Sequence, residues 1–193
     1  GLNGLSSFNF ISIISSILYI GYSYNDDFIV KLSTLIIVIA IFIFLLNFPF
    51  GKIFLGDSGS YLYALFAGAL IIYLFERHSQ LPTLLAMVIL SYPITEMLFS
   101  IFRKIYLKYS PLNPDVNHLH HLVFKKLQGN LKTRNNIASI IMLPFCIIPF
   151  VLTYFSVNYN LNDNFLKFMI YFILYSMSYL FLNKSINKIK SIP

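Results

Sequence analysis

Residues 32–50 read LSTLIIVIAIFIFLLNFPF, a run of nineteen residues without a charged side chain. A transmembrane helix needs roughly 17–25 mostly apolar residues to cross the hydrocarbon core of a bilayer. Comparable runs occupy residues 5–24, 60–75, 81–102, 137–156 and 165–182. With 58% hydrophobic and only 11% charged residues, the composition is typical of a polytopic membrane protein. We therefore predict an all-α fold with six transmembrane helices.

The basic residues divide unequally between the two sides of the predicted membrane. When alternate connections are assigned to opposite faces, one face holds 11 of the 14 Lys and Arg residues, and the other holds only Lys31, Arg77 and Lys167. By the positive-inside rule the richer face is cytoplasmic. Both termini and the long connection 103–136 are then predicted to lie inside the cell.

The acidic residues are predicted to lie on both faces. Asp26, Asp27, Glu76 and Asp163 fall in the predicted external connections. The remaining carboxylates lie on or near the cytoplasmic face, as do three histidines: Asp57, Glu96, Asp115, His118, His120 and His121. A positive field concentrates anions while a carboxylate holds a cation. This face therefore suits an anionic substrate that is bound together with a metal ion.

The stretch FLGDSGS, residues 54–60, places Asp57 between two glycines and beside two serines at the start of the third predicted span. The free N–H groups and the positive dipole end of that helix point at this turn. Such a place can bind phosphate oxygens, and Asp57 can hold a Mg²⁺ that bridges to them. Asp57 or Ser58 could equally be an ordinary N-cap for the first amides. The residues alone leave both interpretations open.

The fourth predicted span carries a polar stripe, Tyr92, Glu96, Ser100 and Arg103, at helical spacing. An unpaired charge at bilayer depth costs roughly 2.5–3.5 kcal/mol on insertion scales. The stripe must therefore face protein, a cavity or a cation, and Pro93 is expected to kink the helix there. A buried structural pair of Glu96 with Arg103 or a lysine is the alternative.

The stretch PLNPDVNHLHHLVFKKL, residues 111–127, contains three of the four histidines. A helical zinc site usually has histidines at positions i and i+4, whereas H-L-H-H gives i, i+2 and i+3 with no cysteine nearby, so zinc is disfavoured. Imidazoles beside cations can instead bind phosphate or ribose oxygens. The alternative is a solvated loop followed by a cytoplasmic amphipathic helix, residues 122–131, lying on the membrane surface.

Three motifs in this order resemble a known family: FLGDSGS at 54–60, YPITEM at 92–97 and SPLNPDVNHLHHL at 110–122. The chain is similar to the polyprenyl-phosphate N-acetylaminosugar-1-phosphate transferases, the MraY/WecA-like membrane glycosyltransferases. The opening GLNGLS resembles the end of a further motif of that family. H-x-H-H after Pro-Asp resembles the branch that uses simple UDP-N-acetylamino sugars. Because relatives have ten or eleven helices, the resemblance implies that residues 1–193 are the C-terminal part of one transferase domain.

The resemblance implies a Mg²⁺-dependent transfer of N-acetylaminosugar-1-phosphate from a UDP-sugar to undecaprenyl phosphate, with release of UMP. The reaction would start lipid-linked cell-envelope polysaccharides such as O-antigen. It would take place at the cytoplasmic face of the bacterial inner membrane. The expected partners are the two substrates, membrane lipid and a second copy of the chain, with no nucleic acid. By this resemblance, Asp57 is expected to be a catalytic residue and the metal ligand. The other expected catalytic residues are His118, His120 and His121. The expected substrate-binding residues are Asn3, Ser58 and Glu96.

The sequence departs from the family because the family's upstream aspartates are absent from these 193 residues. The chain alone is therefore expected to be inactive. Two other classes stay open at this point. One is a transporter or channel segment with Glu96 and the histidines as its path, and the other is a non-catalytic scaffold for envelope assembly.

Overall fold

The computed structural model describes residues 2–110, 117–159 and 162–190, with the backbone alone for 187–190. Its helices are α1 (Leu5–Ser23), α2 (Asp27–Asn47), α3 (Gly56–Arg77), α4 (Leu85–Ile89), α5 (Ser91–Tyr106), α6 (Leu119–Lys126), α7 (Leu131–Asn158) and α8 (Asn164–Lys190). Within these ranges all regular secondary structure is helical. The predicted all-α class is confirmed.

Five helices in the described part of the chain are long and apolar enough to cross a membrane: α1, α2, α3, α7 and α8. They correspond to five of the six predicted spans. The fourth predicted span, residues 81–102, is not one helix but two short ones, α4 and α5. The prediction of six spans is therefore confirmed for five of them within the described residues, and the chain is a multi-pass membrane protein.

Pro93 explains the break between α4 and α5. A proline has no N–H group, and its ring collides with the carbonyl four residues earlier, which here belongs to Ile89. Helix α4 ends at Ile89, and Leu90 departs from helical geometry with φ −95° and ψ 19°. The Ser91 hydroxyl lies at hydrogen-bonding distance from the carbonyls of the last turn of α4, at 2.7 and 3.0 Å. The kink predicted from Pro93 is confirmed as a break.

Contacts between connections show that α1, α3 and α7 begin at the same end of the molecule. The turn between α1 and α2 meets the end of α3, where Arg77 Nε donates to Asp26 Oδ2 at 2.7 Å. At the opposite end, the amide of Asn3 donates to Asn135 Oδ1 at 2.8 Å and joins the start of α1 to the start of α7. We call these the Asp26 end and, because α3 also begins there, the Asp57 end. This arrangement agrees with the connections assigned to opposite faces from the basic residues.

The predicted amphipathic helix, residues 122–131, differs from the observed one. Helix α6 begins three residues earlier and ends at Lys126, because Gly129 has φ 113° and Asn130 starts α7 by accepting a hydrogen bond from the Thr133 amide. Its apolar residues are buried against α7 and α8: Leu119, Leu122 and Val123. The apolar face of α6 therefore packs into the protein.

Two apolar clusters form the interior, one around α1 to α4 and the other around α6 to α8. They meet beside α1 and α3. Phe10 and Tyr63 belong to the first cluster and stack with ring centroids 4.1 Å apart. Leu5 and Tyr92 belong to the second cluster. All four residues border the same cavity, which therefore lies at the junction between the two clusters.

Candidate active site

A cavity of about 630 Å³ lies between α1, α3, the α4–α5 break and α6. Its walls are mostly apolar, and it has a few polar residues: Ser6, Asn9, Ser60, Glu96, His118 and His120. An apolar cavity of roughly 300–1,000 Å³ with a small number of placed polar groups is typical of a ligand site. The broken fourth span contributes to this site because Pro93 and Glu96 both line it.

Glu96 is the centre of the polar groups in this cavity. Its Oε2 lies 2.7 Å from His118 Nδ1, and its Oε1 lies 3.2 Å from the donating hydroxyl of Tyr92. His120 Nδ1 is 3.5 Å from the same Oε1. Within the described residues, the basic groups that contact Glu96 are thus imidazoles. The described residues therefore do not show the alternative pairing of Glu96 with Arg103 or a lysine.

The three histidines divide into a pair and a single residue. His118, at the N-cap of α6, and His120 hold their rings parallel, with centroids 5.5 Å apart and an interplanar angle of 5°. Both line the cavity, and His121 does not belong to its wall. Burial, and then the neighbouring His120 and His118, lower the pKa of His121 to about 4. His121 is therefore neutral at physiological pH.

Arg103 holds the chain that enters α6. Its Nη1 donates to the carbonyl of Asn117 and to the hydroxyl of Tyr179 on α8, both at 2.5 Å. The guanidinium also lies over the Tyr179 ring, 5.4 Å from its centroid. Because Asn117 directly precedes His118, these contacts fix the position from which the histidine pair reaches the cavity.

Asp57 lies in the first turn of α3 and is exposed. The cap position is occupied by Leu55, which makes no side-chain hydrogen bond to the helix, so neither Asp57 nor Ser58 is at the N-cap. On an α-helix, two residues separated by 7 or by 11 positions lie within about 20° of each other around the helix axis. Asp57 therefore shares a helix face with Ala64 and Gly68, which line the cavity, and lies one turn before Ser60 in its wall.

At their spacing of four residues on α3, the small residues Ala64 and Gly68 could form a helix-packing face. Both instead line the cavity, and a Cβ built on Gly68 would have no atom within 4 Å. Small side chains leave space along this stretch of α3. This face of α3 therefore borders the cavity.

The residues around Asp57 fit a Mg²⁺ ion only when a substrate supplies further ligands. Among the described residues, no three His, Cys, Asp or Glu side chains are arranged to hold a metal ion. Mg²⁺ is commonly bound by one or two carboxylates together with phosphate oxygens and water. The exposed carboxylate of Asp57, beside the uncapped amides of α3, suits that kind of shared coordination.

The other predicted site residues lie outside the cavity wall. The Asn3 carbonyl accepts from the Ser139 hydroxyl at 2.8 Å, and its side-chain amide lies beside Gly51. Asn3 is therefore held between α7 and the connection from α2 to α3. Ser58 is exposed on the first turn of α3. Asp115, noted in the histidine loop, lies outside the described residues.

Sequence reasoning missed the polar residues that α1 contributes. Ser6 and Asn9 line the cavity together with Leu2 and Ile13. Their separations of three to four residues place them on one helix face. The polar residues Ser6 and Asn9, three positions apart, were the signal that could have identified this wall.

Comparisons with known proteins agree with the motifs. Residues 1–75 match the family described as "Glycosyl transferase family 4". The undecaprenyl-phosphate alpha-N-acetylglucosaminyl 1-phosphate transferase of Thermotoga maritima is 36% identical over 87 residues, which are 45% of this chain and 28% of that protein. The probable undecaprenyl-phosphate N-acetylglucosaminyl 1-phosphate transferase of Bacillus subtilis is 31% identical over 126 residues, 63% of this chain and 34% of that protein.

The site is that of a membrane protein with a carboxylate–imidazole cluster in an apolar cavity. Over residues 1–75 the chain is similar to that glycosyltransferase family. It spans about a third of the length of the curated relatives that it matches. No solved structure matches it significantly.

Proposed function

We propose that the complete protein transfers an N-acetylaminosugar-1-phosphate from a UDP-sugar to undecaprenyl phosphate and releases UMP. One observation carries this proposal: the Glu96–His118–His120 cluster and the α3 face that bears Asp57 border one apolar cavity. The names of the curated relatives support the acceptor and the transferred group. The cation-rich Asp57 end would face the cytoplasm, at the inner membrane of a bacterium.

The reaction exchanges one phosphoanhydride for another. A phosphate oxygen of undecaprenyl phosphate attacks the β-phosphorus of the UDP-sugar, and the bond from that phosphorus to the bridging oxygen breaks. The electron pair of that bond leaves with UMP. The protein therefore has to hold two anions close together and neutralise their charge.

The described residues can supply these functions. His118 and His120 line the cavity, where a protonated imidazole can donate one N–H to Glu96 and the other to a phosphate oxygen. The uncapped amides at the start of α3 can bind a further phosphate oxygen. Asp57 would hold Mg²⁺, which would supply positive charge to the diphosphate.

The apolar walls suit the acceptor lipid. On the side of the polar cluster toward the Asp26 end, the cavity is lined by Phe10, Ile13, Ala67 and Ile94. An isoprenoid chain can pack against such residues at no cost in buried polar groups. The first isoprene units of undecaprenyl phosphate would lie there, with the phosphate toward Glu96 and the histidines.

The proposal is tested on the complete protein by measuring UMP release and lipid product with a panel of UDP-sugars and undecaprenyl phosphate. We expect Mg²⁺-dependent turnover, and we expect Asp57→Asn to remove it. Asp27→Asn is the matched control, because Asp27 is an exposed acid at the start of α2, at the Asp26 end. Full activity of the Asp57→Asn variant would overturn the role of Asp57, and no lipid product with any UDP-sugar would overturn the proposed function.

We also propose that the 193-residue chain alone does not turn over. It spans about a third of its relatives, and the aspartates that the family places upstream are not in it. The same UMP assay on the isolated chain tests this, and turnover at the rate of the complete protein would contradict it.

A further inference from the structure

Two imidazoles share one carboxylate in this site, and each faces a different oxygen. His118 Nδ1 is 2.7 Å from Glu96 Oε2, and His120 Nδ1 is 3.5 Å from Oε1. An ionised carboxylate accepts hydrogen bonds and cannot donate them. A ring nitrogen that faces it closely is therefore favoured in its protonated form.

We propose that Glu96 is a positioning residue that holds His118 and His120 as Nδ1–H tautomers and directs their Nε2 atoms to the substrate. In an imidazole, Nε2 lies on the far side of the ring from Nδ1, and both residues line the cavity. Which nitrogen of a histidine carries the proton is set by the hydrogen bond that the other nitrogen makes. The consequence for catalysis rests on the proposed function, whereas the tautomers do not.

The geometry gives the two histidines different roles. The His118 contact is short, and Tyr92 donates to the carboxylate from a second direction, so that Glu96 is fixed. The Nδ1 of His120 is buried and has no hydrogen-bond partner among the described residues, although Oε1 is 3.5 Å away. Catalytic hydrogen bonds in empty sites are often long and shorten when substrate binds. The ring of His118 is thus fixed before substrate binds, whereas the hydrogen bond from His120 to Glu96 forms when substrate binds.

Glu96→Gln separates this proposal from a simple structural role. Glutamine has the same size but offers one acceptor oxygen and one donor NH₂ group. In this variant one imidazole still faces an acceptor oxygen and keeps its Nδ1–H. The other imidazole faces the NH₂ group, so its Nδ1 must accept a hydrogen bond and its proton moves to Nε2. Glu96→Asp keeps two acceptor oxygens and is the conservative variant.

The tautomers are measured by NMR of the 193-residue chain with ¹⁵N-labelled histidine, in detergent micelles, at a pH where the rings are neutral. Signals are assigned by substituting each histidine in turn. We expect two Nδ1–H rings for His118 and His120 in the native chain and in Glu96→Asp, and one of each tautomer in Glu96→Gln. Asp26 contacts His78 instead, so Asp26→Asn should leave the His118 and His120 tautomers unchanged. Nε2–H tautomers in the native chain, or unchanged tautomers in Glu96→Gln, would overturn the proposal.

Kinetics of the complete protein provide the second measurement. Removing a partner that orients a ligand in a metal site typically costs about 10–100-fold in activity. We expect a loss of that size in kcat for Glu96→Gln, little change in KM for the UDP-sugar, and partial recovery in Glu96→Asp. A purely structural role would lower the amount of folded enzyme without this division between kcat and KM. If the tautomers are as expected but the native protein shows no transfer, the proposed function fails and the assignment of Glu96 stands.

Discussion

Two shielded carboxylates face imidazoles at different places in this molecule. At the Asp26 end, the Asp26 side chain is 2% exposed and accepts hydrogen bonds from the Ile29 amide at 3.1 Å, Arg77 Nε at 2.7 Å and His78 Nε2 at 3.0 Å. Toward the Asp57 end, the Glu96 side chain is 12% exposed and faces two imidazoles and the Tyr92 hydroxyl. The first closes a turn between helices, and the second borders a cavity.

The kind of partner distinguishes the two sites. An arginine is always charged and presents donors in a rigid fork, so Arg77 and the Ile29 amide hold Asp26 in one state. Burial raises the pKa of Asp26, but the Ile29 amide, Arg77 and His78 together bring it below its ordinary value. Asp26 is thus a structural group. Imidazoles exchange protons near neutral pH, which suits Glu96 to a site that changes during a reaction.

The largest expected effect is on the catalytic rate. Glu96→Ala removes the acceptor shared by two imidazoles, and we expect about a 100-fold loss of kcat in the complete protein, at the upper end of the range for orienting partners. Asp26→Ala should retain near-native kcat per folded molecule. Steady-state assays with folded enzyme quantified for each variant test this comparison. Equal losses in the two variants would erase the distinction between the sites.

The next largest effect is on stability, and here the change at Asp26 should cost more than the change at Glu96. Asp26→Asn leaves buried donors without a charged acceptor, and such losses cost about 1–3 kcal/mol. We expect a lower midpoint of thermal unfolding, measured in detergent by loss of helical circular dichroism. Glu96→Gln should lower the midpoint less because it keeps an acceptor oxygen. A larger loss in Glu96→Gln would mean that both carboxylates are structural.

The pH dependence of stability should follow Asp26. Because the folded-state pKa of Asp26 lies below its ordinary value, its contribution is complete above the unfolded pKa of about 3.9. It is lost as the pH falls through the lower folded value. We expect a steep fall of the unfolding midpoint below about pH 4 in the native chain. Asp26→Asn should flatten this part of the profile, and an unchanged slope would contradict the prediction.

The smallest expected effect is that of the neighbouring acid. The Asp27 side chain is 91% exposed and lies 3.9 Å from the exposed Lys31 ammonium. Exposed pairs of this kind contribute little because water and salt screen them. Asp27→Asn should therefore change neither the unfolding midpoint nor kcat measurably. A clear loss in either measurement would show that the Asp26 end does more than close a turn.

The sequence predicted the features that depend on local composition. Bilayer thickness sets the length of an apolar span, and five of the six predicted spans appear as single helices. The stripe through Tyr92 and Glu96, and the break caused by Pro93, also follow from chain-local rules of helix geometry. The resemblance carried by FLGDSGS is confirmed over residues 1–75.

The sequence did not predict contacts between distant segments. Asp26 was expected to be an ordinary external residue, yet it is buried by Arg77 and His78, about fifty positions away. The predicted amphipathic helix was misplaced because its limits depend on packing against α7 and α8. The roles of Asn3 and Ser58 stay predictions, since neither lies in the cavity wall.

By itself, the sequence determined that this chain crosses a membrane several times and that its cations gather at one end, because hydropathy and charge act on each segment independently. Only the tertiary structure decided that two of three adjacent histidines share Glu96, and that the third does not line the cavity. Those facts depend on where α5 and α6 meet, which is set by packing between segments far apart in the chain.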